Sequence, residues 1–210
     1  MEKGTLLIVS GFSGAGKGTL IKRLRELHDE YALSISMTTR APRPGDVDGV
    51  DYFFVTKEKF EQTIAEDGLL EYANYVGNYY GTPKAYVEQC RDEGRHVILE
   101  IEIQGALQIK KKFPEAKLIF VTPPTAAELR RRLEGRGTET ADVIEKRLSR
   151  AAEEAEGVEN YDYIVVNDDL DTAANRIHEI ATKEEAKDVS SFIHIIEQVK
   201  EDLKDHRKGE

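Results

Sequence analysis

Apolar residues in this chain fall into short unbroken runs, separated by longer stretches in which they recur every three or four positions. The first run, "TLLIVS" (Thr5–Ser10), has no polar interruption and predicts a strand buried on both faces. Leu20, Ile21, Leu24 and Leu27 then line one side of a helix. The runs "HVILEIEI" (His96–Ile103), "KLIFVT" (Lys117–Thr122) and "DYIVVN" (Asp162–Asn167) predict further buried strands. Each is followed by a helical pattern, around Ala106–Lys112, Ala126–Leu133 and Asp171–Lys183. Repeated strand–helix units imply an α/β fold, with a parallel sheet flanked by helices on both faces.

Two segments break that rhythm. Residues 38–91 are rich in Tyr, Gly and Pro, with "VDYFFV", "LLEYANYV" and "NYYGTP", and read as a small inserted α+β lobe. The polar stretch from Gly135 to Asp142 carries two glycines between arginine-rich helices and reads as a lid, extending over about 135–147. The core then comprises 1–37 and 92–183. The last segment, 184–210, holds a helix with Val189, Phe192, Ile193, Ile196, Val199 and Leu203 on one side. That stripe is expected to dock on the body or on a second subunit, and it offers no chemistry.

Composition narrows the class. The 210 residues carry 30 Lys plus Arg against 40 Asp plus Glu, a formal charge of -10. This balance argues against a nucleic-acid binder or an anionic-membrane binder. Cys90 is the only cysteine, so no internal disulfide forms, and a reducing, cytoplasmic setting is expected. No segment is long and apolar enough to span a bilayer, and the chain enters its first strand with no room for a signal peptide.

The glycines after the first strand add chemistry. "GFSGAGKGT" places Gly11, Gly16 and Lys17 on the G-x-x-x-x-G-K pattern of a phosphate-binding loop. The loop follows a strand and opens a helix, so backbone N–H groups and the helix N-terminus can surround phosphate oxygens, with Lys17 adding a point charge. The hydroxyl expected next is absent: Gly18 stands there, and Thr19 comes one residue late.

Other clusters fit a phosphate-handling site. Arg40 and Arg43, three residues apart in a stiff Gly/Pro loop with Tyr52, can grip a second phosphate, and Tyr79 and Tyr80 offer phenolic donors. Arg132, Arg136 and Arg147 can converge on a cleft when a lid closes, and converging arginines suit the spread charge of phosphoryl transfer. Glu100 and Glu102 are expected at the carboxyl end of a strand, on one face because they are two apart, where open α/β sheets bind ligands. If buried, they require a metal, an arginine or a substrate donor as partner.

Taken together, "SGFSGAGKGT", "SISMTTRAPRPGDVDGVDYFF", "EYANYVGNYYGT", "LEIEIQGA", "RRLEGRGTE" and "YDYIVVNDDL" resemble the guanylate kinases, from Gly4 to about Lys183. The resemblance accommodates Gly-Lys-Gly-Thr, a recurrent variant among nucleoside monophosphate kinases. Two positions depart from the family pattern: Phe12 replaces a frequent proline, and Glu102 a common aspartate.

The resemblance implies ATP and GMP as substrates, with dGMP a candidate second acceptor, Mg²⁺ accompanying ATP, and a monomer or homodimer. It assigns Gly11, Ser13, Gly14, Ala15, Gly16, Lys17, Gly18 and Thr19 to the ATP phosphates, and Asn167 and Asp168 to the adenine side. It assigns Ser36, Glu71 and Thr82 to guanine, and Arg40, Arg43, Tyr52 and Tyr80 to the GMP phosphate, with Gly81 between Tyr80 and Thr82. Glu100 would lie beside the acceptor and the metal waters; Thr19 and Glu100 touch the metal only through water. Lys17, Arg43, Arg136 and Arg147 are the expected catalytic residues. Two alternatives share the fold: a related small-metabolite kinase, which leaves the guanine-reading set unexplained, and a non-catalytic interaction domain, which lacks a working phosphate loop. A GTPase would need an N-K-x-D motif, and the sequence has none.

Overall fold

The computed structural model describes residues 3–75, 77–135, 141–183 and 187–204. It has a five-stranded parallel sheet flanked by helices, the α/β architecture expected from the alternating runs. With β1 Leu6–Gly11, β2 Tyr31–Leu33, β7 His96–Glu100, β8 Lys117–Thr122 and β9 Tyr163–Val166, the strand order is β2-β7-β1-β8-β9. Among the described residues no helix is long and apolar enough to cross a membrane. The chain divides into two compact units, Met1–Ile8 with Glu30–Ala116, and Val9–Asp29 with Lys117–Glu210.

The first unit contains a second sheet of four strands, in the order β4-β3-β6-β5. Its strands are β3 Met37–Thr38, β4 Phe53–Phe54, β5 Leu69–Tyr75 and β6 Asn78–Pro83. Helix α2 (Lys57–Ala65) starts at Thr56, whose side chain accepts the Lys59 N–H as an N-cap. Helix α3 (Lys84–Asp92) leads into β7, and α4 (Ile103–Lys112) follows it. β5 and β6 pair antiparallel with Tyr72 opposite Gly81, but the register is irregular between Leu69 and Tyr72. Glu71 lies in that irregular stretch, where a break in the ladder re-aims side chains.

The strand pattern predicts β7 through Ile103, carrying Glu100 and Glu102 on one face. The strand instead ends at Glu100, and Glu102 is the N-cap position of α4, without a side-chain capping bond. Both carboxylates are exposed, so the requirement for a partner to offset burial does not arise. Ala106 and Ile109 explain the change, because both are fully buried on the core face of the helix.

In the second unit, α1 (Lys17–Leu27) buries Leu20, Ile21 and Leu24 and packs against α7 (Leu170–Thr182). Helices α5 (Ala126–Glu134) and α6 (Ala141–Glu154) follow β8. The C-terminal stripe forms α8 (Val189–Lys204), which docks on the body: it buries Ile196, Val199 and Leu203 and packs against α5, α6 and β9. Phe12 is fully buried and meets Phe120 edge-on at 5.1 Å, while Phe120 meets Tyr161 at 5.4 Å. The residue that replaces a frequent proline is therefore a core side chain in an aromatic cluster.

Candidate functional site

In the second unit the loop between β1 and α1 is shaped by backbone geometry. Gly16, the N-cap of α1, has φ +87°, a conformation that glycine adopts without strain. It has no side-chain cap, so the first N–H groups of α1 lack that partner. Lys17 Nζ donates to the carbonyls of Gly11 at 2.9 Å and Phe12 at 3.1 Å. The ammonium thus lies over the loop that the sequence assigns to phosphate. Gly18 and Thr19 are exposed on the same turn.

Three side chains far along the chain hold this loop. Asn167 Nδ2 and Arg132 Nη1 both donate to the Ala15 carbonyl, at 2.8 and 3.1 Å. Arg132 Nη2 donates to the Asn167 carbonyl at 2.7 Å, and its Nε to Glu128 Oε1 at 2.7 Å. Bonds from Arg131 and Arg132 pull the Glu128 carboxyl down to about 2. Arg132 therefore spends its planar fork on positioning the loop. Asn167, expected beside adenine, is buried with its amide on the loop, whereas Asp168 is exposed.

The third holder was not visible in the sequence. Glu154, the last residue of α6, accepts the Ser13 N–H on Oε2 at 2.8 Å. Burial raises its carboxyl above the usual range, opposed by the Ser13 N–H and the Lys17 charge. The two residues are 141 positions apart, and nothing in the local pattern around Glu154 marks it. Arg147 is half-buried on α6. Arg136 lies outside the described residues, as do residues 136–140 of the stretch expected to form the lid; residues 141–147 belong to α6.

The first unit holds the other set. Glu71 is 4% exposed, and its Oε1 accepts the Thr82 hydroxyl at 2.7 Å. Burial raises the Glu71 carboxyl, and the Thr82 bond works against that rise. Thr82 therefore spends its proton on Glu71, where the family resemblance implies that it reads the base directly. Gly81 is also buried, between Glu71 and Phe60: a Cβ there would meet the Glu71 carbonyl at 2.9 Å and Phe60 Cζ at 3.0 Å. Ser36 is half-buried, and its carbonyl accepts the Phe53 N–H at 2.9 Å.

Arg40 lies over aromatic rings, its guanidinium carbon 5.3 Å from the Tyr52 centroid and 5.5 Å from that of Phe54. Its Nη2 donates to Asp46 Oδ2 at 2.9 Å, and the same oxygen accepts the Arg43 N–H at 2.8 Å. The Arg43 N–H and then the Arg40 side chain lower the Asp46 carboxyl. Arg43 itself is exposed. The two tyrosines part company: Tyr80 meets Tyr52 with ring centroids 6.0 Å apart, whereas the Tyr79 ring stacks on Phe60. Neighbours on a strand point to opposite faces, so Tyr79 faces the buried side and only Tyr80 joins Arg40 and Tyr52. Glu100 is exposed at the end of β7, close enough to Tyr52 to raise its phenol further after burial has done so.

These two sets can do different things: one surrounds a polyphosphate, the other presents a buried carboxylate and a cation–aromatic cluster. The profile of the family described as guanylate kinase matches residues 3–184. A guanylate kinase of Lactococcus lactis subsp. lactis is 50% identical over 202 residues, which is 95% of this chain and 98% of that one. One from Clostridioides difficile is 52% identical over 204 residues, covering 97% and 99%. The crystal structure of guanylate kinase from Anaplasma phagocytophilum superimposes with a TM-score of 0.70 at 33% identity, over 88% of this chain and 89% of that one. Matched along nearly its whole length by sequence and by fold, the chain belongs to the guanylate kinase family.

Proposed function

We infer that this protein transfers the γ-phosphoryl group of ATP to GMP, giving ADP and GDP. The observation that carries the reading is Glu71, a buried carboxylate whose Oε1 accepts the Thr82 hydroxyl. Guanine presents N1–H and the N2 amino group side by side, two donors that one carboxylate accepts together. Adenine has an acceptor at N1 and no amino group at C2, and would meet Glu71 with repulsion.

The remaining residues take roles around that contact. Gly11, Ser13 and the turn Gly14–Thr19 hold the ATP phosphates, with Asn167 and Arg132 keeping the turn in shape and Asp168 on the adenine side. Lys17 exchanges its carbonyl partners for phosphate oxygens. Arg40, Arg43, Tyr52 and Tyr80 receive the GMP phosphate, and Ser36 and Gly81 line the base. Arg43, Arg136 and Arg147 balance charge on the transferring group. No protein base is required, since the acceptor is already an anionic phosphate oxygen.

Mg²⁺ fits this chain as a companion of ATP. Gly18 leaves open space where a side chain would stand, and Thr19 and Glu100 are each exposed, so either would reach the ion only through water. When bound, the ion neutralises phosphate charge and keeps several of its waters. The protein is proposed to act in the cytoplasm, as a monomer or homodimer, away from membranes and nucleic acid.

A coupled ADP-release assay across GMP, dGMP, AMP, CMP, UMP and ribose phosphates tests the reading. GMP is expected to be used by a wide margin over AMP. Turnover with a ribose phosphate alone would establish the related-kinase alternative, and binding without turnover the interaction-domain one.

A further inference from the structure

Helix α4 touches the base-reading carboxylate with a residue that has no side chain. Gly105 is the third residue of α4 and is buried. A Cβ built on it would lie 2.6 Å from Glu71 Oε2, 3.1 Å from Glu71 Cδ and 3.3 Å from Ile101 Cδ1. The first distance is shorter than real Cβ contacts allow, so any other residue at 105 would move the carboxylate. Glycine is a poorer helix former than alanine, and burial alone does not account for it in a first helical turn.

The carboxylate has little room to retreat. Its Oε1 is bonded to Thr82 at 2.7 Å. Its backbone is held on both sides by the same helix: Lys112 Nζ donates to the Leu70 carbonyl at 2.8 Å, and Gln108 Nε2 to the Tyr72 carbonyl at 3.3 Å. Those carbonyls flank Glu71, which falls between the register pairs Leu69–Pro83 and Tyr72–Gly81 where the ladder shifts. Helix α4 therefore sets where Glu71 lies and, at Gly105, leaves the space in which its second oxygen sits.

We propose that Gly105 is a specificity-determining positioning residue. Its bare backbone lets the Glu71 carboxylate keep the orientation in which both oxygens receive the adjacent donors of a 2-amino-6-oxopurine nucleotide. This rests on Glu71 being the reader of the base. A methyl group at 105 turns or pushes the carboxylate, and a two-donor base loses part of its contact. A base lacking the 2-amino group has less to lose, and ATP, bound elsewhere, loses nothing.

The test compares GMP, IMP and AMP as acceptors in Gly105→Ala, Glu71→Ala and the double variant, with melting temperatures alongside. IMP keeps N1–H and O6 but lacks the 2-amino group, so the GMP-to-IMP ratio reports the second contact. Gly105→Ala is expected to lower kcat/KM for GMP by about 10–100-fold, the scale of one hydrogen bond to a charged group. IMP should fall less and KM for ATP should hold. In the Glu71→Ala background, adding Gly105→Ala should cost nothing further, because the clashing carboxylate is gone. An unchanged GMP-to-IMP ratio in Gly105→Ala, or an equal loss in both backgrounds, would overturn the proposal while leaving the base reading intact. Normal GMP use by Glu71→Ala would overturn the base reading, and the proposal with it. If Gly105→Ala fails to fold, Lys112→Met probes the same helix without added bulk. A GMP-selective loss of several-fold is expected there, and a loss shared equally by IMP and AMP would count against the idea.

Discussion

Glu154 at the end of α6 accepts the Ser13 N–H at 2.8 Å, so this helix holds the loop between β1 and α1 by its last side chain. Two substitutions separate the tie from the charge. Glu154→Ala removes both and should raise KM for ATP about tenfold, the scale of one hydrogen bond to a charged group. Glu154→Gln keeps an acceptor but removes a negative charge beside an anionic ligand, and KM for ATP should stay level or fall. Equal effects of the two variants would mean that Glu154 acts only through packing.

Lys17 is bonded to the carbonyls of Gly11 and Phe12. Those are neutral partners, which an ammonium exchanges readily for phosphate oxygens. Lys17→Met should fold, with a melting temperature near that of the parent, and lose roughly a hundredfold or more in kcat, the cost of one preorganised charge contact. Near-normal turnover in that variant would remove Lys17 from the transition state.

Two glycines flanking this loop, Gly11 at the end of β1 and Gly18 at the start of α1, should respond in opposite ways. A Cβ on Gly18 would meet nothing within 4 Å, whereas one on Gly11, at φ +147°, would lie 2.1 Å from the Val121 carbonyl. Gly18→Ser should retain activity within a fewfold and shift the Mg²⁺ requirement. Gly11→Ala should lose stability by more than 1 kcal/mol, roughly, through backbone strain. Urea titration and a Mg²⁺ titration of kcat check the pair, and inactivity of a folded Gly18→Ser would mean that ATP needs the bare backbone there.

Glu71 links base choice to stability. Burial raises its carboxyl above 4.5, so between pH 4.5 and its folded value the folded state keeps a proton that the unfolded chain has released. Stability from this group is therefore full below pH 4.5 and is lost as pH rises through the folded value. Glu71→Gln, which cannot ionise, should melt higher than the parent at pH 7 and alike below pH 4.5. The same variant should lose about 10²–10⁴-fold in kcat/KM for GMP, as two charged hydrogen bonds imply, and change little with AMP. A parent-like melting temperature at pH 7 would mean that the buried carboxylate carries no such cost.

Among these residues, those legible from sequence are the ones whose geometry is local. Gly11 to Thr19 form a phosphate loop because a few consecutive backbone conformations suffice, and glycine spacing records them. The α/β class followed from unbroken apolar runs alternating with helical stripes, and α8 docks by the residues its stripe marks. Where two periodicities coincide, the pattern misled: Glu100, Ile101, Glu102 and Ile103 alternate like a strand, yet α4 begins at Ile103, because burying Ala106 and Ile109 outweighs four residues of alternation. Tyr79 and Tyr80 look alike in the chain, and the pleat turns Tyr79 toward Phe60.

What tertiary structure alone decided is which distant side chains join each of the two sets. Arg132 and Asn167 reach Ala15, Glu154 reaches Ser13, and Gly105 leaves room for Glu71. Each depends on how helices pack on strands far away in sequence. A hydrogen bond or a missing methyl group across such a contact imposes no periodicity on its neighbours, so the motifs that single out Arg132 and Asn167 do not say what those side chains hold.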